Sequence, residues 1–153
     1  MGASQQQLQE LSQQLQEIDQ QIEVLKEDVE AVRDEQDAVD EATDAIDQLE
    51  SGSTVQVPLG GGAYVRATIE DIDEIIVELG ADYALERDQE GAIETLENKK
   101  DRLDDRIDEL EDDIDELESE SAQLEQQAQQ MQQQAMQQQM QQMGQGQQES
   151  PDE

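Results

Sequence analysis

Leucine, isoleucine and valine fall at fixed intervals along two long stretches of this chain. In residues 5–50, Leu8, Leu15, Ile22 and Val29 recur every seven residues, and Gln36 and Thr43 continue the row. Leu11, Ile18, Leu25, Val32, Val39 and Ile46 form a second row offset by three. In residues 88–131 one row is Ile93, Lys100, Ile107, Ile114, Ser121 and Ala128, and the other is Leu96, Leu103, Leu110, Leu117, Leu124 and Met131. Paired rows with this offset are the a and d positions of a heptad, and they predict two α-helices that each bury one narrow seam. Ser51-Gly52-Ser53 ends the first, with Gly52 in the usual position for a helix stop. Gln36, Thr43 and Lys100 interrupt the seam, where polar residues cost stability and specify register. Lys100 is long enough to carry its ammonium to water.

Between the helices, in residues 54–87, the period shortens to two. Val55, Val57 and Leu59 alternate in one run, and Val65, Ala67 and Ile69 in the next, with Gly60-Gly61-Gly62 between them. That pattern predicts a β-hairpin, with Pro58 at an edge or at the turn. Ile75, Val77, Leu79, Tyr83 and Leu85 suggest a second hairpin turning at Gly80-Ala81, although residues 70–79 also fit a helical turn. Residues 132–153 are Gln and Met with two Gly, then ESPDE, a composition expected of a frayed helix passing into a flexible tail.

The two heptad segments each span roughly 65–70 Å at about 1.5 Å per residue. The β segment between them reverses the chain, so they are expected to pair antiparallel. Layers then join Leu8 to Met131, Leu15 to Leu124, Ile22 to Leu117, Leu25 to Ile114, Val29 to Leu110 and Ile46 to Ile93. A slip of one heptad matches nearly as well. In this register Lys26 meets Glu111, Arg33 meets Asp104, Arg106 meets Glu35, and Lys99 meets only Ala42.

Composition sharpens this reading. There is no Phe and no Trp, and apolar residues reach only 33%, against roughly 45–50% in a typical globular domain. A seam fits these amounts better than a ball. Net charge is −34, which repels nucleic acid and anionic membranes. At about 1 M salt the screening length falls to roughly 3 Å, so such a chain suits a halophile's cytoplasm. Without His or Cys it lacks the commonest general base, the commonest metal ligand and the thiol nucleophile. Its carboxylate pairs, such as Asp104-Asp105 and Asp112-Asp113, fall on solvated faces with nothing to separate their pKa values. The Gly-rich run lacks the Lys of a phosphate loop, and DQEGAIETLE has the wrong acid spacing for a calcium loop. No enzyme activity, cofactor or metal is expected. The first residues lack the basic and apolar parts of a signal peptide, and no run is long enough to span a membrane.

A helix, a Gly-rich hairpin, a second hairpin and a returning helix of equal length resemble prefoldin. The segment GSTVQVPLGGGAYVRATIEDIDEIIVELGADYALERD resembles the archaeal alpha type in particular. The resemblance implies a mainly α fold, a long antiparallel coiled coil with a central pair of β-hairpins. It implies an ATP-independent holdase chaperone in a hexamer of two alpha and four beta subunits. Such a complex grips non-native polypeptides at its coiled-coil tips and delivers them to a group II chaperonin. Carried onto this chain, assembly falls to Val55, Val57, Leu59, Tyr64, Val65, Ile69, Ile75, Val77, Leu79, Tyr83 and Leu85, too few to make their own core. The tip falls to Leu8, Leu11, Ala128 and Met131, with Met136, Met140 and Met143 beyond it at i, i+4 and i+7. The Gln/Met run itself is not part of the family pattern. The alternative is a structural coiled-coil adaptor or spacer that binds one specific protein.

Overall fold

A computed structural model describes residues 2–146 as two long helices with two antiparallel strand pairs between them. The order is α1 (Gly2–Gln48), β1 (Thr54–Gly60), β2 (Ala63–Thr68), β3 (Ile75–Gly80), β4 (Tyr83–Arg87) and α2 (Gln89–Gly146). The fold class expected from the heptads and the alternating runs is the one found. The segment from Ile75 is a strand, which settles the choice between hairpin and helical turn. α2 continues through Gln132–Gly146, where a frayed end was expected. Gln is a good helix former, so this extension needs no apolar seam of its own. The rest of the expected tail, 147–153, lies outside the described residues.

The helix ends are set by local chemistry. At Gly52 the backbone turns to a φ of 90°, a conformation that favours glycine. Asp88 caps α2, its carboxylate accepting the Gly91 N–H at 2.7 Å. A cap of this kind contributes about 1 kcal/mol. Gly91 is part of the same device, because a Cβ there would stand 2.6 Å from the capping oxygen.

The chain forms two compact units. One contains Val29–Glu109, and its core is Val39, Val77, Ala92 and Leu96, with Ile46, Ile75, Leu79 and Leu103 packed against it. Ala92, beside the seam position Ile93, is fully buried, and its small side chain lies in the cluster that holds Val77 of β3. The Gln36 side-chain amide donates to the Lys100 carbonyl at 3.3 Å and to Asp104 at 2.5 Å. The Gln89 amide donates to the carbonyls of Ile46 at 2.7 Å and Leu49 at 3.0 Å. Rising numbers on α1 therefore meet falling numbers on α2. Gln36 lies beside Lys100 and Asp104, whereas a slip of one heptad would carry it to Leu96 or Leu110. The expected register holds in this unit.

The other unit contains the described residues up to Asp28 and from Leu110 onward. Ile18, Ile22, Leu110 and Ile114 are buried, and Leu110 is only 1% exposed. Leu8, Leu11, Leu15, Leu25, Leu117, Ser121, Leu124, Ala128 and Met131 are half-buried, and the positions off these seam rows are exposed between them. This is the burial that a two-helix seam allows, one stripe per helix with nothing behind it.

The ion pairs of Lys99 and Arg106 differ from those read off the heptad positions. Lys99 reaches Glu35 at 3.6 Å, and Arg106 pairs with Glu109 of its own helix at 3.3 Å rather than with Glu35. Arg33 lies 3.6 Å from Glu30, one turn before it. Lys100 does not simply extend to water but donates to both carboxylate oxygens of Asp40, at 2.8 and 3.0 Å. The hydrogen bond from Lys100 to Asp40 is the main reason its pKa is raised above the ordinary 10.5. A raised pKa stabilises the fold below the unfolded value and is lost as pH climbs through the folded one. The pair therefore holds at neutral pH.

The hairpins turn on left-handed residues. Gly61 and Gly62 join β1 to β2 with φ of 61° and 83°, and Ala81 and Asp82 join β3 to β4 with φ of 51° and 64°. The second turn is thus one residue later than Gly80-Ala81. A non-glycine residue held there costs roughly 1–2 kcal/mol. Ala81→Gly is expected to raise stability in molar salt by about 0.5–1 kcal/mol, the strain relieved less the extra freedom of the unfolded glycine. Gly61→Ala is expected to lower it by about 1 kcal/mol. Thermal melts of both check the turn assignment. Lys100→Ile, filling the seam with an apolar side chain, is expected to raise the melting temperature. A fall would mean that the Asp40 pair outweighs the apolar layer.

Candidate functional site

Apart from Val24 on α1, the exposed large apolar residues among those described lie on two surfaces, one in each unit. The first is the pair of hairpins. β1 pairs with β2 so that Val55 faces Ala67, Val57 faces Val65 and Pro58 faces Tyr64. β3 pairs with β4 so that Ile76 faces Glu86, Val77 faces Leu85 and Gly80 faces Tyr83. Each sheet has only two strands, so every strand keeps one open edge, and such a pair is marginal alone.

The two hairpins repeat one another. Val57-Pro58-Leu59-Gly60 corresponds to Val77-Glu78-Leu79-Gly80, each followed by a two-residue turn and an irregularity just before it. Their surroundings differ. Val77 is 5% exposed beneath Val39, Ala92 and Leu96, whereas its counterpart Val57 is 40% exposed. Ile75, Val77 and Leu79 therefore belong to the chain's own core, which corrects their expected place on an assembly surface. The alternation of β3 turns them onto the helices. Val57, Leu59, Tyr64, Val65, Tyr83 and Leu85 are exposed, and Val55 and Ile69 half-buried. The equivalent of a sealed face is here left open.

Ile76 was not among the expected surface residues, yet it is 71% exposed on the outer face of β3. The signal was present, since Ile75-Ile76-Val77 places apolar groups on both faces of one strand, as in strands covered on both sides.

The second surface is the end of the helix pair where α1 begins. Leu11 and Met131 border one hollow of about 350 Å³, together with five glutamines and the carboxylate-bearing Glu10. Leu8 and Ala128 are half-buried in the same seam. Ala135 continues the row and is half-buried, but Gln138 and Gln142 take the next seam positions. Met136, Met140 and Met143 do not extend the seam. They lie on the outward side of α2, exposed by 66%, 74% and 78%. The structure thus separates the seven expected tip residues into four in the seam and three facing solvent.

A further property of this end was overlooked in the sequence. Between Glu125 and Glu149 there is no ionisable side chain, and none precedes Glu10. In a chain with 42 acidic residues this lapse is local, and it coincides with the end of the helix pair. Among the described residues no group of His, Cys, Asp or Glu side chains forms a metal site, and no helix is long and apolar enough to cross a membrane.

Comparison with known proteins identifies the family. The family model described as "Prefoldin subunit" matches residues 5–134. A prefoldin subunit alpha of Halorubrum lacusprofundi is 62% identical over 103 residues, covering 67% of this chain and 68% of the relative. One from Haloquadratum walsbyi is 64% identical over 102 residues, covering 67% and 66%. One from Haloarcula marismortui is 69% identical over 55 residues, only 36% of either chain. The match to the Haloarcula relative thus spans about a third of its length. Among solved structures, the cryo-EM structure of filamentous PFD from Methanocaldococcus jannaschii has a TM-score of 0.50 at 24% identity, covering 76% of this chain and 93% of that one. That likeness bears on the fold alone. A family match over most of the length, joined to a helix pair with two small hairpins between its arms, makes this chain a member of the prefoldin subunit family.

Proposed function

We propose that this chain is the alpha subunit of an ATP-independent holdase that captures unfolded polypeptides. The observation that carries the reading is the stretch of the helix pair beyond Glu10 and Glu125, which has no ionisable side chain as far as Glu149, with its exposed Met136, Met140 and Met143. A surface without fixed charge excludes no client by sign. Methionine adapts its shape to varied apolar segments. Leu8, Leu11, Ala128 and Met131 supply the seam beside it and become available where the pair separates.

Assembly is proposed to use the hairpins. The open counterpart face on β1 and β2, with Val57, Leu59, Tyr64 and Val65, and the outward Ile76, Tyr83 and Leu85 need a cover that this chain does not provide. Beta subunits, two alpha with four beta, are the proposed partners, a group II chaperonin the proposed recipient, and a cytoplasm of high salt the proposed setting. The haloarchaeal relatives and the charge of −34 support the last point. Nothing in this scheme uses a nucleotide, a metal or a catalytic group.

The direct test mixes the chain and its cognate beta subunit in molar potassium chloride with several unrelated denatured proteins. Suppressed aggregation of all of them without ATP is expected. Suppression of none, with tight binding of a single native protein, would instead indicate an adaptor. Truncation after Leu124 is expected to leave the number of subunits in the complex unchanged but weaken suppression, and full suppression would end the tip assignment. Val57→Asp is expected to reduce the native mass while the chain alone keeps its helical circular dichroism. A complex of normal mass would remove β1 from the interface.

A further inference from the structure

We infer that Met136, Met140 and Met143 form an oxidation site through which hydroperoxides lower the chain's hold on unfolded polypeptides. The inference rests on the proposed capture at this end. It begins from position. The three thioethers are 66–78% exposed on one outward stripe of α2, while Met131, in the seam of the same helix, is half-buried. Apart from Met1 these are all the methionines of the chain, and there is no cysteine to intercept the oxidant first. Susceptibility follows exposure, so the outward three react ahead of Met131.

The reaction is balanced by the oxidant alone. A sulfur lone pair attacks the distal oxygen of the peroxide and the O–O bond breaks. Sulfur gains one oxygen and loses two electrons, and with hydrogen peroxide the other oxygen leaves as water. The product is a sulfoxide, a polar acceptor in place of a flexible apolar group. The surrounding side chains are glutamines, so these three residues supply the large apolar groups on their face. Oxidation therefore removes the apolar character of the stripe while the seam positions Ala135, Met131 and Ala128 keep theirs. The helix needs no methionine on its outward side, so the fold is spared.

The test uses the assembled complex in molar salt. After limited treatment with hydrogen peroxide, a protease cutting after Glu releases the segment between Glu125 and Glu149. Fragment masses are expected to show one added oxygen on each of Met136, Met140 and Met143 before Met131. The complex concentration needed for half-suppression of aggregation is expected to rise roughly tenfold, the effect of losing about 1.4 kcal/mol of binding. Sulfoxide reductases of both epimer specificities are expected to reverse the change. A variant carrying M136L, M140L and M143L, compared with itself before and after peroxide, is expected to show no such rise. Preferential oxidation of Met131, or unchanged suppression by fully sulfoxidised wild type, would overturn the inference. So would an equal loss in the leucine variant. Failure of the untreated wild type to suppress aggregation would remove the capture reading and this one together, whereas the other outcomes bear on the oxidation site alone.

Discussion

Everything in this molecule depends on one narrow apolar stripe per helix. With few apolar residues and no Phe or Trp, the chain has no means of building a thick core, and the heptad seam is the arrangement that buries the most from the least. Leu110 is buried almost completely only because a partner helix runs beside it. Each acidic face is then free to be as charged as solvation in salt requires, since no charged residue has to enter the interior. The polar seam residues take care of themselves: Gln36 binds across the seam and Thr43 donates to the Val39 carbonyl at 2.9 Å. The described residues contain no buried side-chain polar atom without a partner.

The hairpins show how the same economy creates an unfinished surface. β3 meets the helices at the layer of Ala92, and that small side chain makes room for Val77. β1 has a nearly identical run of residues but no helix of its own chain to lie on. One structural phrase is thus used twice, with Val77 buried in one occurrence and its counterpart Val57 exposed in the other.

Much of this was legible in the residues. Leu8 to Met131 fall into rows because a seam repeats every seven positions, and each row position is protected in the structure. The hairpins were visible from alternation and from Gly60-Gly61-Gly62. Other features were not. A period of two names two faces of β3 but does not say which one the helices cover, so Val77 was misplaced and Ile76 missed. Ion pairing could not be read because acids outnumber cations about fivefold. Glu35 therefore had more than one suitor, and Lys99 took it. The glutamine run of α2, read by composition as a frayed helix, is helical as far as Gly146 among the described residues.

The clasp made by Gln89 has a bearing on how such a molecule tolerates changing conditions. One neutral amide ties the last carbonyls of α1 to the first turn of α2, at Ile46 and Leu49. An ionic fastening at that place would loosen or tighten with every shift in electrolyte, and a carboxylate would titrate. An amide does neither. At the point from which both hairpins spring, this tie offers no charge for the surrounding brine to screen, even as the acidic flanks feel every change.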